Sequence, residues 1–440
     1  MILGKVQDNC YNGRSLLEVF QNIQASDLQP LLDIANIPIT QLCHNSNLLI
    51  FPDSFESAKD EIENETVFNY YGGKIFTGNI LGFIGKNDVS LQITSRFESG
   101  ESNFLLHYML QKVMSINIFD LKTHRSDNSI WDFLFFLFPA MLLRARAQGI
   151  YKEYQYNSHN DNHLRGIVDF ARHFSKNIPF RGSIAYRTRE FDFDNKVTQL
   201  IRHTIEFIKE KAWIKQILTV DKRIQTVVEE YISVTPQYNR FARQRILAAN
   251  LRSFAHPYFS QYKNLIKLCL QILRHEQISY GKETDEIYGI LFDGAWLWEE
   301  YLNTVLLNNG FIHPQNRLCK ERVYLYEGSK GECYPDFYGK NMVMDAKYKG
   351  LDSEIKREDR FQLISYLHIL NCEKGLFLYP SSKSESCYYE EGELMGLKGK
   401  IGAVPFHIPR SNTFQDFCDA MRSEEHAFLE NINNGMTQEM

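Results

Sequence analysis

The spacing of hydrophobic residues changes twice along this chain. In the first third, apolar positions come in short runs at residues 46–51, 74–84 (KIFTGNILGFI) and 88–96 (DVSLQITSR), bounded by Gly, Asn and Asp. Runs of that length and punctuation predict strands, and together a β-rich module over residues 1–102. From Asn103 to Arg274 the spacing becomes three and four, as in FLLHYMLQKVM, FLFFLFPAMLLRARAQ, KVTQLIRHTIEFIKEKAWI and YKNLIKLCLQILR. That period predicts helices over most of residues 103–278. Between the second and third of them, residues 164–195 alternate enough to hold a strand pair. A polar link at 276–288 (EQISYGKETDEIY) then precedes a third rhythm over residues 279–440. There ILFDGAWLWEEYLNTVLLNNG reads as a helix stopped by Gly310. RVYLYEG, CYPDFYG and NMVMDAKYKG read as strands, EDRFQLISYLHILN as a helix and KGLFLYP as a strand. The expected class is an α+β multidomain chain.

Charge and cysteine usage narrow the function. The net charge of -5 excludes a bulk polycation, so any nucleic-acid contact needs a local patch or a partner. Residues 141–260 hold 20 Lys and Arg against 11 Asp and Glu, a balance of +9 that leaves -14 for the rest. A solvated helical face explains this asymmetry as well as a phosphate-binding surface does. None of the eight cysteines forms a CxxC pair, which argues against a zinc knuckle, and they read as reduced thiols of a cytoplasmic protein. The longest apolar run, Phe133 to Leu143, is too short for a bilayer and contains Pro139. The segment GNILGFIGKN has Ile80 where a phosphate loop needs glycine and Asn87 where it needs Ser or Thr. It reads as a β turn, so nucleotide hydrolysis is not expected of this chain.

The chemistry concentrates in residues 334–350, YPDFYGKNMVMDAKYKG. Side chains alternate along a strand, so Asp345 and Lys347 share a face. A two-residue turn at Gly339-Lys340 sets Asp336 opposite Val343, and one at Lys340-Asn341 sets it opposite Asp345. Either turn brings Asp336 to the face of Asp345 and Lys347, and a three-residue loop reverses it. Adjacent carboxylates repel, and a divalent cation relieves them. An oxygen donor set with few other protein ligands suits Mg²⁺, with Mn²⁺ as an alternative, the shell being completed by water and phosphate oxygens. A lysine beside such an ion serves to orient or deprotonate an attacking water in phosphodiester hydrolysis. Taken alone, the same residues fit an exposed, salt-bridged hairpin equally well. The neighbouring helices add Glu299 and Glu300, behind an apolar face of Leu291, Ala295, Leu297 and Trp298. They also add Gln362 and Tyr366 at i, i+4. Arg357, Glu358, Asp359 and Arg360 read as a solvated first turn.

This order of helix-Glu, strand-Asp, Asp-Ala-Lys, helix-Gln-x-x-x-Tyr and strand resembles the PD-(D/E)xK nuclease superfamily. More narrowly it resembles McrC, the nuclease subunit of the McrBC modification-dependent restriction system, and the related LlaJI-type proteins. FDGAWLWEEYL, YPDF, MDAKYKG, FQLISYL and GLFLYP carry the likeness. In the middle, LRGIVDFARHF and REFDFDNKVTQLIRHTI resemble the family's LRGRIDF-type block and its continuation. The likeness covers roughly residues 103–385; the first hundred match less well.

The resemblance implies a C-terminal restriction-endonuclease-like α/β core and a Mg²⁺-dependent DNA endonuclease. It implies that Asp336, Asp345 and Glu299 are metal ligands, Glu299 being preferred to Glu300. Lys347 is then the catalytic lysine, and Gln362 and Tyr366 support the scissile phosphate. It further implies methylated or otherwise modified DNA as substrate and an McrB-like AAA+ GTPase as partner. The nuclease subunit docks on that ring through its N-terminal half and stimulates it. No membrane is involved. A non-catalytic DNA-binding adaptor of the same complex and a stand-alone nuclease are the competing readings. Arg165, Arg181, Arg187 and Arg189 in the middle block are open to three readings: DNA contact, partner surface or solvation.

Overall fold

The computed structural model describes residues 2–437 apart from 21, 22, 24, 45, 46, 53–64, 99–102, 115–131, 213, 220, 253, 280–286, 315–322, 351–354, 384–388, 397 and 398. The described residues form two compact units. One takes those of 1–119 and 277–440, the other those of 131–276.

The 131–276 unit is mainly helical. Helix Lys196–Glu210 buries Val197, Leu200, Ile201, Ile205 and Ile208, the stripe its sequence predicts. Asn195 starts it, accepting from the N–H groups of Val197 and Thr198 at 3.0 and 3.2 Å, while Thr198 Oγ1 accepts from the Asn195 N–H. Such a cap is worth about 1 kcal/mol. Pro139 lies inside helix Asp132–Ala147. The expected strand pair within 164–195 takes a different form. Ile184–Asp192 pairs antiparallel over nine residues with Glu153–Asp161, and Ile167–Val168 adds only a short third strand. Glu153–Asp161 alternates tyrosines with polar residues and has no aliphatic run to announce it.

The larger unit contains two five-stranded sheets. In chain order the strands are β1 (Ile2–Gln7), β2 (Asn47–Phe51), β3 (Ile80–Lys86), β4 (Val89–Thr94), β5 (Ile287–Asp293), β6 (Phe337–Gly339), β7 (Met342–Ala346), β8 (Lys374–Ser381), β9 (Tyr389–Glu393) and β10 (Lys400–His407). Its main helices are α1 (Phe104–Val113), α2 (Gly294–Leu306), α3 (Arg357–Leu370) and α4 (Phe414–Thr437). The first sheet runs β1-β4-β3-β5-β2 and the second β6-β7-β8-β10-β9. In the second, β7, β8 and β10 are parallel and both edge strands antiparallel. The run 74–84 is divided: Lys74–Thr77 belongs to a small three-stranded sheet and β3 starts after Gly78-Asn79. The phosphate-loop-like segment is mostly β3 itself, with the turn confined to its end, where Asn87 has φ 56°.

Two expectations are corrected here. Residues 290–293 are not the start of a helix but the end of strand β5, which pairs with β3 and β2. Asp293 then caps α2, accepting from Ala295 N at 2.9 Å and Trp296 N at 3.3 Å. Leu291 therefore lies in a strand, and Ala295 is exposed rather than part of an apolar helix face. Because β5 sits inside the first sheet, residues 1–102 and 279–440 lie in one body, not in two modules divided by the middle segment.

Helices flank both faces of the second sheet. Leu363, Tyr366 and Leu367 of α3 pack on Val343, Phe377, Ile401 and Ala403. Trp298 and Tyr301 of α2 and Phe428 of α4 surround Phe406, which alternation places on the other face. Glu425 of α4 fastens that side. It accepts from Tyr108 at 2.9 Å and Tyr301 at 3.0 Å and pairs with Lys112 at 2.8 Å.

Candidate functional site

The β6–β7 hairpin turns at Lys340-Asn341, where both residues have positive φ, 51° and 60°. This is the mirror-image geometry that matches strand twist, and Asn tolerates it well. Phe337 pairs with Met344 and Gly339 with Met342. Continued by one residue, that register sets Asp336 opposite Asp345, the second of the two even-numbered arrangements considered above. Gly339 is required on steric grounds: at φ 149° its missing Cβ would lie 2.8 Å from the carbonyl oxygen of Gly310. Beyond it, Ile312 and Tyr338 exchange both backbone bonds, at 2.8 and 3.0 Å, so the chain leaving α2 runs along the outer edge of β6.

Asp345 is buried, with 2 % of its surface exposed. Lys347 Nζ lies 2.7 Å from Asp345 Oδ2 and 3.5 Å from Asp359 Oδ1. The approach to Asp345 is an ion pair without an aligned hydrogen bond, which leaves that buried oxygen with unused acceptor capacity. Asp336 keeps part of its surface open, and its Oδ2 accepts from Ala346 N at 2.7 Å. Burial, then the charges of Glu299 and Asp345, push the Asp336 carboxyl well above the usual range. Burial raises Asp345 too, against the pull of Lys347. Burial works against the Lys347 charge, but Asp345 more than offsets it, so the side chain is held as ammonium.

A polar chain runs from that ammonium. Lys347 donates to Gln362 Oε1 at 3.2 Å, Gln362 Nε2 to Tyr366 Oη at 2.8 Å, and Tyr366 to the Tyr334 carbonyl at 3.1 Å. The structure thus gathers Asp336, Asp345, Lys347, Gln362 and Tyr366, and brings Glu299 close enough for its charge to act on Asp336. Glu300 lies beside it: His313 Nε2 is 3.8 Å from Glu299 and 3.9 Å from Glu300.

Two residues escaped the sequence reading. His313 is stacked on Phe337 at 4.9 Å, and its Nδ1–H donates to the Asp336 carbonyl at 2.8 Å, which turns Nε2 toward the glutamates. No pattern announced it. Asp359, expected in a solvated turn, is instead paired with both Lys347 and Lys349, the latter at 2.5 Å. Its signal was available, since 359, 362 and 366 share one helical stripe.

Among the described residues, no three His, Cys, Asp or Glu side chains form a ready-made metal cage. The donor set fits an ion that asks little of the protein. It offers two adjacent carboxylates, one with unused capacity in a buried position, and a glutamate nearby, which suits Mg²⁺ with its retained waters. No described helix is long and apolar enough to cross a membrane.

In the 131–276 unit, Arg165 donates to Tyr186 Oη at 3.0 Å and lies 3.5 Å from Asp161, and Arg187 pairs with Asp169 at 2.7 Å. Around them Tyr156, Ile167, Phe170, Phe174 and Phe180 are exposed. Tyr156, Ile167 and Phe170, with the arginines, line a groove of about 710 Å³.

No curated protein matches the chain. It is similar in fold to a half-complex refined from a tetradecameric assembly of Thermococcus gammatolerans McrB AAA+ hexamers with bound McrC. The TM-score is 0.54 at 15% identity, covering 98% of this chain and 99% of that one. A second match, the cryo-EM structure of the Thermococcus gammatolerans McrBC complex, has a TM-score of 0.36 at 14% identity and covers 70% of this chain and 88% of that one. The model of the family described as McrBC 5-methylcytosine restriction system component matches residues 75–380, well over half the sequence, and the chain belongs to that family.

Proposed function

We propose that this chain is the metal-dependent DNA endonuclease subunit of a modification-dependent restriction system, built on a PD-(D/E)xK core. The observation that carries the proposal is the hairpin register that, continued by one residue, sets Asp336 across from Asp345, with Lys347 fixed between Asp345, Asp359 and Gln362. Asp336, Asp345 and Glu299 would hold Mg²⁺ or Mn²⁺. When bound, the ion supplies polarisation of the phosphodiester and stabilises the leaving oxygen.

The other residues have separate tasks. The Lys347 ammonium faces the phosphate and orients the attacking water, its position set by Gln362, which Tyr366 holds in turn. With Asp345 and Asp359 on two sides, the lysine of the metal-free chain is held as ammonium, ready to donate. His313 fixes the Asp336 backbone against α2. Asp359 shares the lysine's charge and limits its reach.

The partner in this reading is an McrB-like AAA+ GTPase, supported by the Thermococcus gammatolerans assembly, in which McrC is bound to McrB hexamers. The apolar face of the 131–276 unit supports a protein contact more than a DNA contact. Arg165 and Arg187 are engaged by acids of their own unit and Arg189 lies over the ring of Tyr154, so these three arginines are partly occupied among the exposed rings. Methylated DNA enters through the family's description alone.

The test is cleavage of methylated plasmid by the chain with its partner, GTP and Mg²⁺. Wild type cuts, Asp345→Ala does not, and the variant still assembles. Undiminished cutting by Asp345→Ala would sink the assignment. Mg²⁺-dependent cutting without partner or nucleotide would point to a stand-alone nuclease.

A further inference from the structure

Residues 1–102 have no task in the reading above, yet their sheet ends against the site. Strand β4 stops at Thr94, and Ser95, Arg96 and Phe97 close around Tyr348, which follows Lys347 directly. Ser95 Oγ and Tyr348 Oη are 2.7 Å apart. The Arg96 guanidinium lies 4.9 Å from the centre of the Tyr348 ring and 5.0 Å from that of Phe97. The same group donates to the Tyr348 backbone carbonyl. It also pairs with Asp8 Oδ2 at 3.2 Å, and the Arg96 N–H donates to Asp8 Oδ1 at 2.6 Å. Asp8, Ser95 and Tyr348 are all buried.

The same ring is also confined by α2. A Cβ on Gly294 would stand 2.7 Å from it, so Tyr348 is wedged against the first turn of α2, the helix that carries Glu299. The Lys347 N–H is held by the Leu378 carbonyl at 2.8 Å. The peptide following Lys347 is therefore fixed by β8 before it and by Arg96 after it. Only a planar fork can stack on a ring, donate to a carbonyl and pair with a carboxylate at once.

We propose that Arg96 is a positioning residue for Lys347. Through Tyr348, the N-terminal sheet sets the backbone from which the lysine reaches the phosphate, and seats the helix that presents Glu299. This deepens the nuclease reading and rests on it.

The experiment compares Arg96→Lys, Arg96→Met and the double variant Asp8→Asn/Arg96→Met in the full chain with its partner, with Asp345→Ala as reference. Lysine keeps a cation for Asp8 but lacks the fork. Arg96→Lys is expected to melt close to wild type while its single-turnover cleavage rate falls about ten- to a hundredfold, the range expected when a reacting group is misplaced by about 1 Å. KM for DNA should stay within about twofold. Arg96→Met also loses stability, because it strands Asp8; the double variant regains the melting temperature but not the rate. A folded Arg96→Lys or double variant cutting at wild-type rate overturns the proposal. So does a loss of rate that only tracks the unfolded fraction. Wild-type cutting by Asp345→Ala is a different failure: it removes the nuclease reading and the Arg96 proposal with it.

Discussion

Two antiparallel strand pairs of this chain distribute their side chains in opposite ways. The β6–β7 hairpin draws two carboxylates and an ammonium into packed surroundings. The ribbon of Glu153–Asp161 and Ile184–Asp192, with the short segments beside it, leaves Tyr156, Ile167, Phe170 and Phe180 in water. Each arrangement costs folding free energy. A large apolar side chain left exposed forgoes about 1.5–3 kcal/mol, and a desolvated ion costs several kcal/mol unless it is fully paired. Penalties of such different kinds fit the proposed reading, in which an ion and a phosphodiester complete the first surface and an apolar protein face the second.

The comparison breaks most decisively at Asp345. Asp345→Ala should lower cleavage by about three orders of magnitude or more, since several kcal/mol of transition-state stabilisation depend on the ion. The same change relieves the repulsion on Asp336 but takes a partner from Lys347, which keeps Asp359, so the melting temperature should move little. A fall in stability with cleavage intact would reverse the roles assigned to this hairpin. Next in size is Lys347→Met, expected to slow single-turnover cleavage about a hundredfold with DNA affinity unchanged. Affinity lost in step with rate would make the lysine a binding group instead. Beside the other strand pair, Ile167→Ser with Phe170→Ser should leave the stability within about 0.5 kcal/mol of wild type, as read by thermal melting. It should weaken partner binding by about thirtyfold or more, measured by titration, since anchors of this kind carry about 2 kcal/mol. Unchanged partner binding would leave the exposed rings without a purpose. The smallest effect is at the turn. Lys340→Gly relieves a positive φ and should stabilise the chain by about 1 kcal/mol with cleavage intact, as read by thermal melting.

Much of the first hairpin was legible in the sequence because strand alternation is strict. Once the turn is even, Asp336, Asp345 and Lys347 must share a face, and only the choice between two registers waited for the Lys340-Asn341 turn. Gln362 and Tyr366 followed from helical spacing in the same way. His313 did not, since what brings it to Asp336 is a backbone bridge between Ile312 and Tyr338, which no local pattern encodes. Strand β5 was misread as helix because ILFD runs straight into a helical run, so the Asp293-Gly294 boundary signal was passed over, and its partners β2 and β3 lie more than two hundred residues away. The strand Glu153–Asp161 was missed for the opposite reason: with rings on one side and polar groups on the other, it lacks the buried aliphatics that usually mark a strand.

That unbroken passage from β5 into α2 has a mechanical meaning. Asp293 is at once the last residue of a sheet strand and the cap of the helix bearing Glu299, so no slack separates them. A single residue inserted after it would turn the helix by about 100° and slide it by about 1.5 Å, aiming the glutamate away from its neighbours without touching any of them. The glutamate thus inherits its bearing from strands laid down at the very beginning of the chain.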